Sequence, residues 1–141
     1  MYGDGQQIRD WLYVEDHVRG IDLVLKKGVI GENYNIGGNN EWTNIDIVNL
    51  ICQLIDEAFS ENTTLKDTYP LAKSAHKGNS QSLIRHVTDR PGHDRRYAID
   101  ATKICNELGY QPQETFTSGI KKTVDWYLNN NDWWRALLIK T

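Results

Sequence analysis

From Glu15 to Lys27 the apolar positions Val14, Val18, Ile21, Val24 and Leu25 recur at helical spacing, and Gly28 stops the pattern. This predicts a one-faced helix. A second helix is predicted from Thr43, whose hydroxyl and the Asp46 carboxylate have capping-box spacing, to about Phe59; Ile45, Val48, Ile51, Cys52, Ile55 and Phe59 give it a broad apolar face. Asp100 can cap a short helix over Ala101 to Leu108, which Gly109 ends. After Pro112 a last long helix starts near Phe116, with Phe116, Ile120, Val124, Tyr127 and Leu128 in one stripe and Trp126, Trp133 and Trp134 close by. Aromatic residues at this spacing belong more often to a core or an interface than to a ligand platform.

Three stretches read as short strands: Ile8 to Val14, Glu32 to Ile36 before the turn Gly37-Gly38-Asn39-Asn40, and Leu83 to Val87 at an edge. Between them, Ser60 to Ser82 is polar, rich in turn formers and without clear period, and reads as a long surface loop with at most one irregular helical turn. The expected fold class is therefore α/β, with few strands and several packed helices. So few strands cannot make a full doubly wound sheet, so the chain is expected to be part of a larger protein.

At 141 residues, 39% apolar and 25% charged, the chain is long enough for one globular domain with a core. A net charge of −3 argues against a general nucleic-acid binder, and the start Met1 to Gly5 lacks the basic and apolar parts of a signal peptide. No apolar run is long enough for a membrane span. Cys52 and Cys105 sit in apolar helical patterns as small buried residues, which suits a reducing, cytoplasmic setting.

Against this acidic background stands Asp89-Arg90-Pro91-Gly92-His93-Asp94-Arg95-Arg96-Tyr97, with three arginines and a histidine in seven residues. A guanidinium fork matches two phosphate oxygens in one plane, so the loop suits a small ligand with several phosphate oxygens. The ordinary alternative is a solvated basic loop. Other candidates have ordinary readings too. Asn44 can be a helix-start residue, and His17 has no second ligand at metal spacing. Tyr69 and Lys73 have the Tyr-x-x-x-Lys spacing of a dehydrogenase pair, but no apolar-faced helix surrounds them. Gly3 and Gly5 lack the third glycine of a dinucleotide fingerprint.

Gln7 to His17, Tyr34 to Gly38, Arg90 to Asp100, Leu108 to Pro112, and Gly119-Ile120 with Thr123 to Tyr127 together resemble, in order, the C-terminal part of the dTDP-glucose 4,6-dehydratases, which are extended short-chain dehydrogenases. The run Arg-Pro-Gly-His-Asp-Arg-Arg-Tyr carries most of that resemblance, because related epimerases and decarboxylases share the opening motif. The resemblance implies one nucleotide-sugar-binding domain over residues 1–141. It also implies a missing N-terminal half that binds NAD and holds the acid and base groups. Arg9 and Arg90 would hold the diphosphate of dTDP-glucose or dTDP, His93 and Asn44 would bond to the nucleotide and its phosphates, and Tyr2 would lie near the thymine. Arg95 and Arg96 are expected to pair with carboxylates such as Asp89 or Asp94. No catalytic, cofactor-binding or metal-binding residue is expected in this chain, and the intact enzyme would be a homo-oligomer. A fragment of a UDP-sugar epimerase or decarboxylase and a free-standing nucleotide-binding module are the alternatives.

Overall fold

The computed structural model describes residues 1–138. These form two compact units. One comprises Met1–Asp46 and His86–Gly119; the other comprises Ile47–Arg85 and the described residues from Ile120 onward.

In the first unit, β1 (Ile8–Asp10) pairs antiparallel with β2 (Glu41–Thr43), with Arg9 opposite Trp42 at the centre of the ladder. The other edge of β1 takes the arginine loop: the Ile8 amide donates to Arg95 O at 2.8 Å, and the Tyr97 amide donates to Ile8 O at 3.0 Å. A single parallel bridge between Tyr2 and Val87 brings the N-terminal turn to the start of the same loop. α1 (Val14–Lys27) packs on α4 (Thr102–Leu108) around Ile104, Leu108 and Tyr110, joined by Leu23, Val24, Tyr34 and Ile36. Gly20 of α1 permits this approach, since a Cβ there would lie 2.7 Å from Ile36 Cγ2.

Two expected strands are corrected. Glu32 to Ile36 is not a strand. Its alternation is real, because Tyr34 and Ile36 join the core around Ile104, but the backbone between them has no partner to pair with. Side-chain burial alone produced the period of two. The pairing falls instead on Glu41–Thr43, which the Asp10 carboxylate helps to place by accepting the amides of Gly38 at 2.9 Å and Asn40 at 2.7 Å. Leu83 to Val87 is likewise no strand: its start belongs to a 3-10 turn over Ser80–Leu83, and only Val87 makes a bridge. The first strand is confined to Ile8–Asp10 rather than reaching Val14.

α1 forms where its spacing predicts, but of its expected apolar stripe only Val24 packs on the core around Ile104. Val14, Val18, Ile21 and Leu25 are exposed, while Asp16 and Gly20 are buried. The Asp16 carboxylate accepts the amides of Gln113 at 2.7 Å and Glu114 at 3.0 Å, and Arg19 NH2 at 2.5 Å. Burial pushes this carboxyl up, but the Gln113 amide, the Arg19 guanidinium and the Glu114 amide outweigh it and hold its pKa below the ordinary value. The segment so held leads into α5 (Phe116–Asn129), whose first residue stacks on Trp42 with ring centroids 4.6 Å apart.

α2 (Asn44–Glu61) opens on the expected capping box, with the Asp46 amide donating to Thr43 Oγ1 at 3.3 Å. In the second unit it supplies Phe59, which packs with Leu65 of α3 (Thr64–Thr68) and with Ala75. Ser60 to Ser82 is therefore not a surface loop. It folds as α3 and two 3-10 turns, pinned where Ser80 donates its amide and hydroxyl to the Asp56 carboxylate of α2. Few apolar anchors, Leu65 and Ala75 among them, hold the segment, so no hydrophobic period announced it. Tyr69 and Lys73 do not share a helix. The Tyr69 hydroxyl donates to Leu128 O at 2.6 Å, and burial pushes its pKa up. α6 (Asn131–Leu138) follows a break after α5, and Trp134 stacks on Tyr69 while Trp133 stays exposed. No helix among the described residues is long and apolar enough to cross a membrane.

Candidate anion-binding site

The candidate site lies in the first unit, where the arginine loop runs beside β1. Arg90-Pro91-Gly92-His93 closes as a turn, with the His93 amide donating to Arg90 O at 3.3 Å and Gly92 at φ 70°. Proline at the second position and a left-handed glycine at the third are what a type II turn requires. Arg9, at the centre of β1, donates NH1 to Ile8 O at 2.6 Å and NH2 to Asp94 O at 3.0 Å. Its guanidinium carbon lies 4.5 Å from the Tyr97 ring centroid. Arg90 lies over the ring of Tyr2, 5.5 Å from its centroid, and His93 meets the same ring edge-on at 6.3 Å.

The charges of these arginines are not cancelled by the protein. Arg95 pairs with Asp4 at 3.0 Å and Arg96 grips Glu41 with two bonds, so the expected pairing with Asp89 or Asp94 is replaced by partners distant in sequence. Asp89 is occupied by His93, Gln7 and the Arg90 amide, and Asp94 accepts the Tyr97 hydroxyl. Arg9 and Arg90, by contrast, make no carboxylate ion pair among the described residues. The hydrogen bond to Asp94 raises the Tyr97 pKa, and the positive charges of Arg9 and Arg90 both oppose that rise.

Tyr2, Arg90 and His93 are thus brought into mutual contact, and Arg9 meets the same loop at Asp94 O and over the Tyr97 ring. Asn44 is connected differently: its amide donates to Gln7 O at 2.9 Å, and its half-buried side chain makes no hydrogen bond among the described residues. Gln7 and Tyr97 were not anticipated in the site. Gln7 stands two residues before Arg9, the spacing that puts both on one side of a strand, and this polar alternation was the available signal. Tyr97 closes the basic run and could have been read as an aromatic platform for a guanidinium.

A separate open depression of about 360 Å³ lined by His17, Tyr34, Asn35, Ile36 and Ile99 contains none of the expected site residues. No group of three His, Cys, Asp or Glu side chains among the described residues is placed to hold a metal ion.

The comparison with known proteins bears on the fold and the family. Residues 1–123 match the family model described as GDP-mannose 4,6 dehydratase, and the chain belongs to that family. More particularly, the chain is 54% identical over 138 residues to a dTDP-glucose 4,6-dehydratase of Escherichia coli, a match covering 98% of this chain and 35% of the relative. The crystal structure of a Bacillus anthracis dTDP-glucose 4,6-dehydratase in complex with NAD is similar with a TM-score of 0.75 and 44% identity, over 97% of this chain and 36% of its own. A Thermotoga maritima UDP-glucose 4-epimerase with UDP-glucose gives a TM-score of 0.66 at 25% identity, over 90% of this chain and 33% of its own. The chain spans about a third of the length of the relatives it matches.

Proposed function

We propose that the chain is the substrate-binding part of a dTDP-glucose 4,6-dehydratase. The intact enzyme converts dTDP-glucose to dTDP-4-keto-6-deoxyglucose by NAD-mediated oxidation, elimination of water and reduction, in the cytoplasmic biosynthesis of deoxysugars. The observation that carries this reading is the pair Arg9 and Arg90, one on β1 and one in the loop beside it, neither of which has a carboxylate partner among the described residues. An anion with two phosphates supplies what they lack. The higher identity to dTDP-glucose 4,6-dehydratases than to the UDP-glucose epimerase favours thymidine over uridine.

We do not assign NAD to this chain. Its paired glycines, Gly37 and Gly38, are filled by the protein itself: a Cβ would lie 2.7 Å from Asp10 Oδ2 at the first and 2.5 Å from Trp11 O at the second. They leave no cradle for a pyrophosphate. We assign NAD, with the acid and base, to the other part of the enzyme, and this chain alone is expected to bind nucleotide weakly without dehydratase activity. The intact enzyme is proposed to be a homo-oligomer.

Calorimetric titration of the chain with dTDP and with UDP tests the reading. Binding of dTDP in preference to UDP is expected, with Arg9→Lys and Arg90→Lys each weakening it by about tenfold, the scale of one lost hydrogen bond to a charged group. Equal affinity for both nucleotides, binding of neither, or lysine variants that bind like the parent would overturn it.

A further inference from the structure

His93 carries one feature that an anion-binding role alone leaves unexplained. Its side chain is 6% exposed, and Nδ1 lies 2.7 Å from Asp89 Oδ1. An ionised carboxylate can only accept, so Nδ1 must carry a proton. Nε2 has no partner among the described residues. A neutral ring in this tautomer offers Nε2 as an acceptor, whereas a free imidazole could present either nitrogen.

Asp89 is itself held. Its Oδ1 also accepts the Arg90 amide at 2.9 Å, and its Oδ2 accepts Gln7 Nε2 at 2.8 Å. The His93 hydrogen bond, more than any other contact, keeps this carboxyl below the ordinary range. Gln7 is 2% exposed and its Oε1 is buried without a partner, so its amide is placed at a cost. Turning the amide over would point Oε1 at the carboxylate, which cannot donate. The same residue receives the Asn44 amide on its backbone oxygen and lies two positions before Arg9. One buried residue therefore ties the histidine turn, through its side chain, to the strand and helix start that its backbone joins.

We infer that Asp89, held by Gln7, is a positioning residue that fixes His93 with its proton on Nδ1, so that Nε2 accepts a hydrogen bond from a hydroxyl of the bound nucleotide sugar. The inference rests on the nucleotide reading of the site for its ligand, but the state of the ring is measurable without one. The charged groups around the pair are Arg90 in the same turn and Asp4, whose charge acts on Asp89 and which pairs with Arg95; Tyr2 contributes its ring.

Long-range proton–nitrogen correlation of the histidine-labelled chain at pH 8, without ligand, reads the tautomer directly. The parent is expected to show the Nδ1–H form and Asp89→Asn a shift toward Nε2–H. In dTDP titrations Asp89→Asn should bind about tenfold more weakly, and should cause no further loss when added to His93→Ala. A parent ring protonated on Nε2, a tautomer unchanged by Asp89→Asn, or losses that add in the double variant would overturn the proposal. The parent tautomer decides the matter even where Asp89→Asn fails to fold. Failure of the parent to bind dTDP, with the tautomer shift present, would instead refute the nucleotide reading and uphold the coupling of Asp89 to His93.

Discussion

Replacing Asp16 with alanine tests how the first unit is held together. Its carboxylate is fully buried and takes two backbone amides, Gln113 and Glu114, together with the Arg19 guanidinium. Arg19 is half-exposed and lies 3.9 Å from Glu15, so it can turn to that carboxylate and to water. The two amides have no such alternative. At about 1.5 kcal/mol for each buried donor left unpaired, the loss is roughly 3 kcal/mol. With a urea m-value of about 2 kcal/mol/M, that moves the unfolding midpoint down by about 1.5 M. The pH dependence has a definite sign. Because the folded pKa of Asp16 is depressed, its contribution is complete above the unfolded value, about pH 4, and fades as pH falls through the lower folded one. The gap between parent and variant should therefore be full at pH 7 and shrink below about pH 4. Urea titrations of both proteins at pH 7 and pH 3 make the measurement. A gap below about 1 kcal/mol at pH 7, or one that widens on acidification, would refute the reasoning.

Two further predictions concern α1. Gly20→Ala should lower stability by about 1–2 kcal/mol in urea titration, because the new methyl meets Ile36 and Tyr110, and this crowding exceeds the roughly 1 kcal/mol that alanine gains in a helix interior; a stabilised variant would contradict this. The exposed stripe of Val14, Val18, Ile21 and Leu25 should drive self-association of the isolated chain, visible in light scattering and reduced by Val18→Ser with Leu25→Ser. A clean monomer at every concentration would count against it.

What the sequence revealed of the fold depended on how local each signal was. The Thr43 and Asp46 cap, the Asp100 side chain bonded to the Thr102 amide, and left-handed Gly109 all act within a few residues, and the helix boundaries they predict are found. The first strand was found, shortened, but the other two failed because three-residue ladders carry too few positions for a period, and Tyr34 and Ile36 imitated one through burial alone. The α1 stripe misled for a related reason. Helical spacing identifies an apolar face without saying what it meets, and the face this unit buries is made by Gly20, Asp16 and Val24.

The candidate site divides along the same line. That an arginine-rich turn after Asp89 suits phosphate follows from residue chemistry and could be read directly. Which arginines remain available could not, because Asp4 neutralises Arg95 from 91 positions away and Glu41 neutralises Arg96 from 55. Folding sorts four arginines into two structural pairs and a set, Arg9 and Arg90, with no carboxylate partner among the described residues. Arg9 enters that set from β1 because its two backbone bonds use only part of a guanidinium with five N–H donors. The donors left over are what a diphosphate would take under the proposed reading, with Arg9 lying over Tyr97 and Arg90 over Tyr2. Asp89 could not have been assigned from sequence. As one carboxylate among several basic residues it reads as a partner for arginine, and only the buried amide of Gln7 turns it toward the histidine.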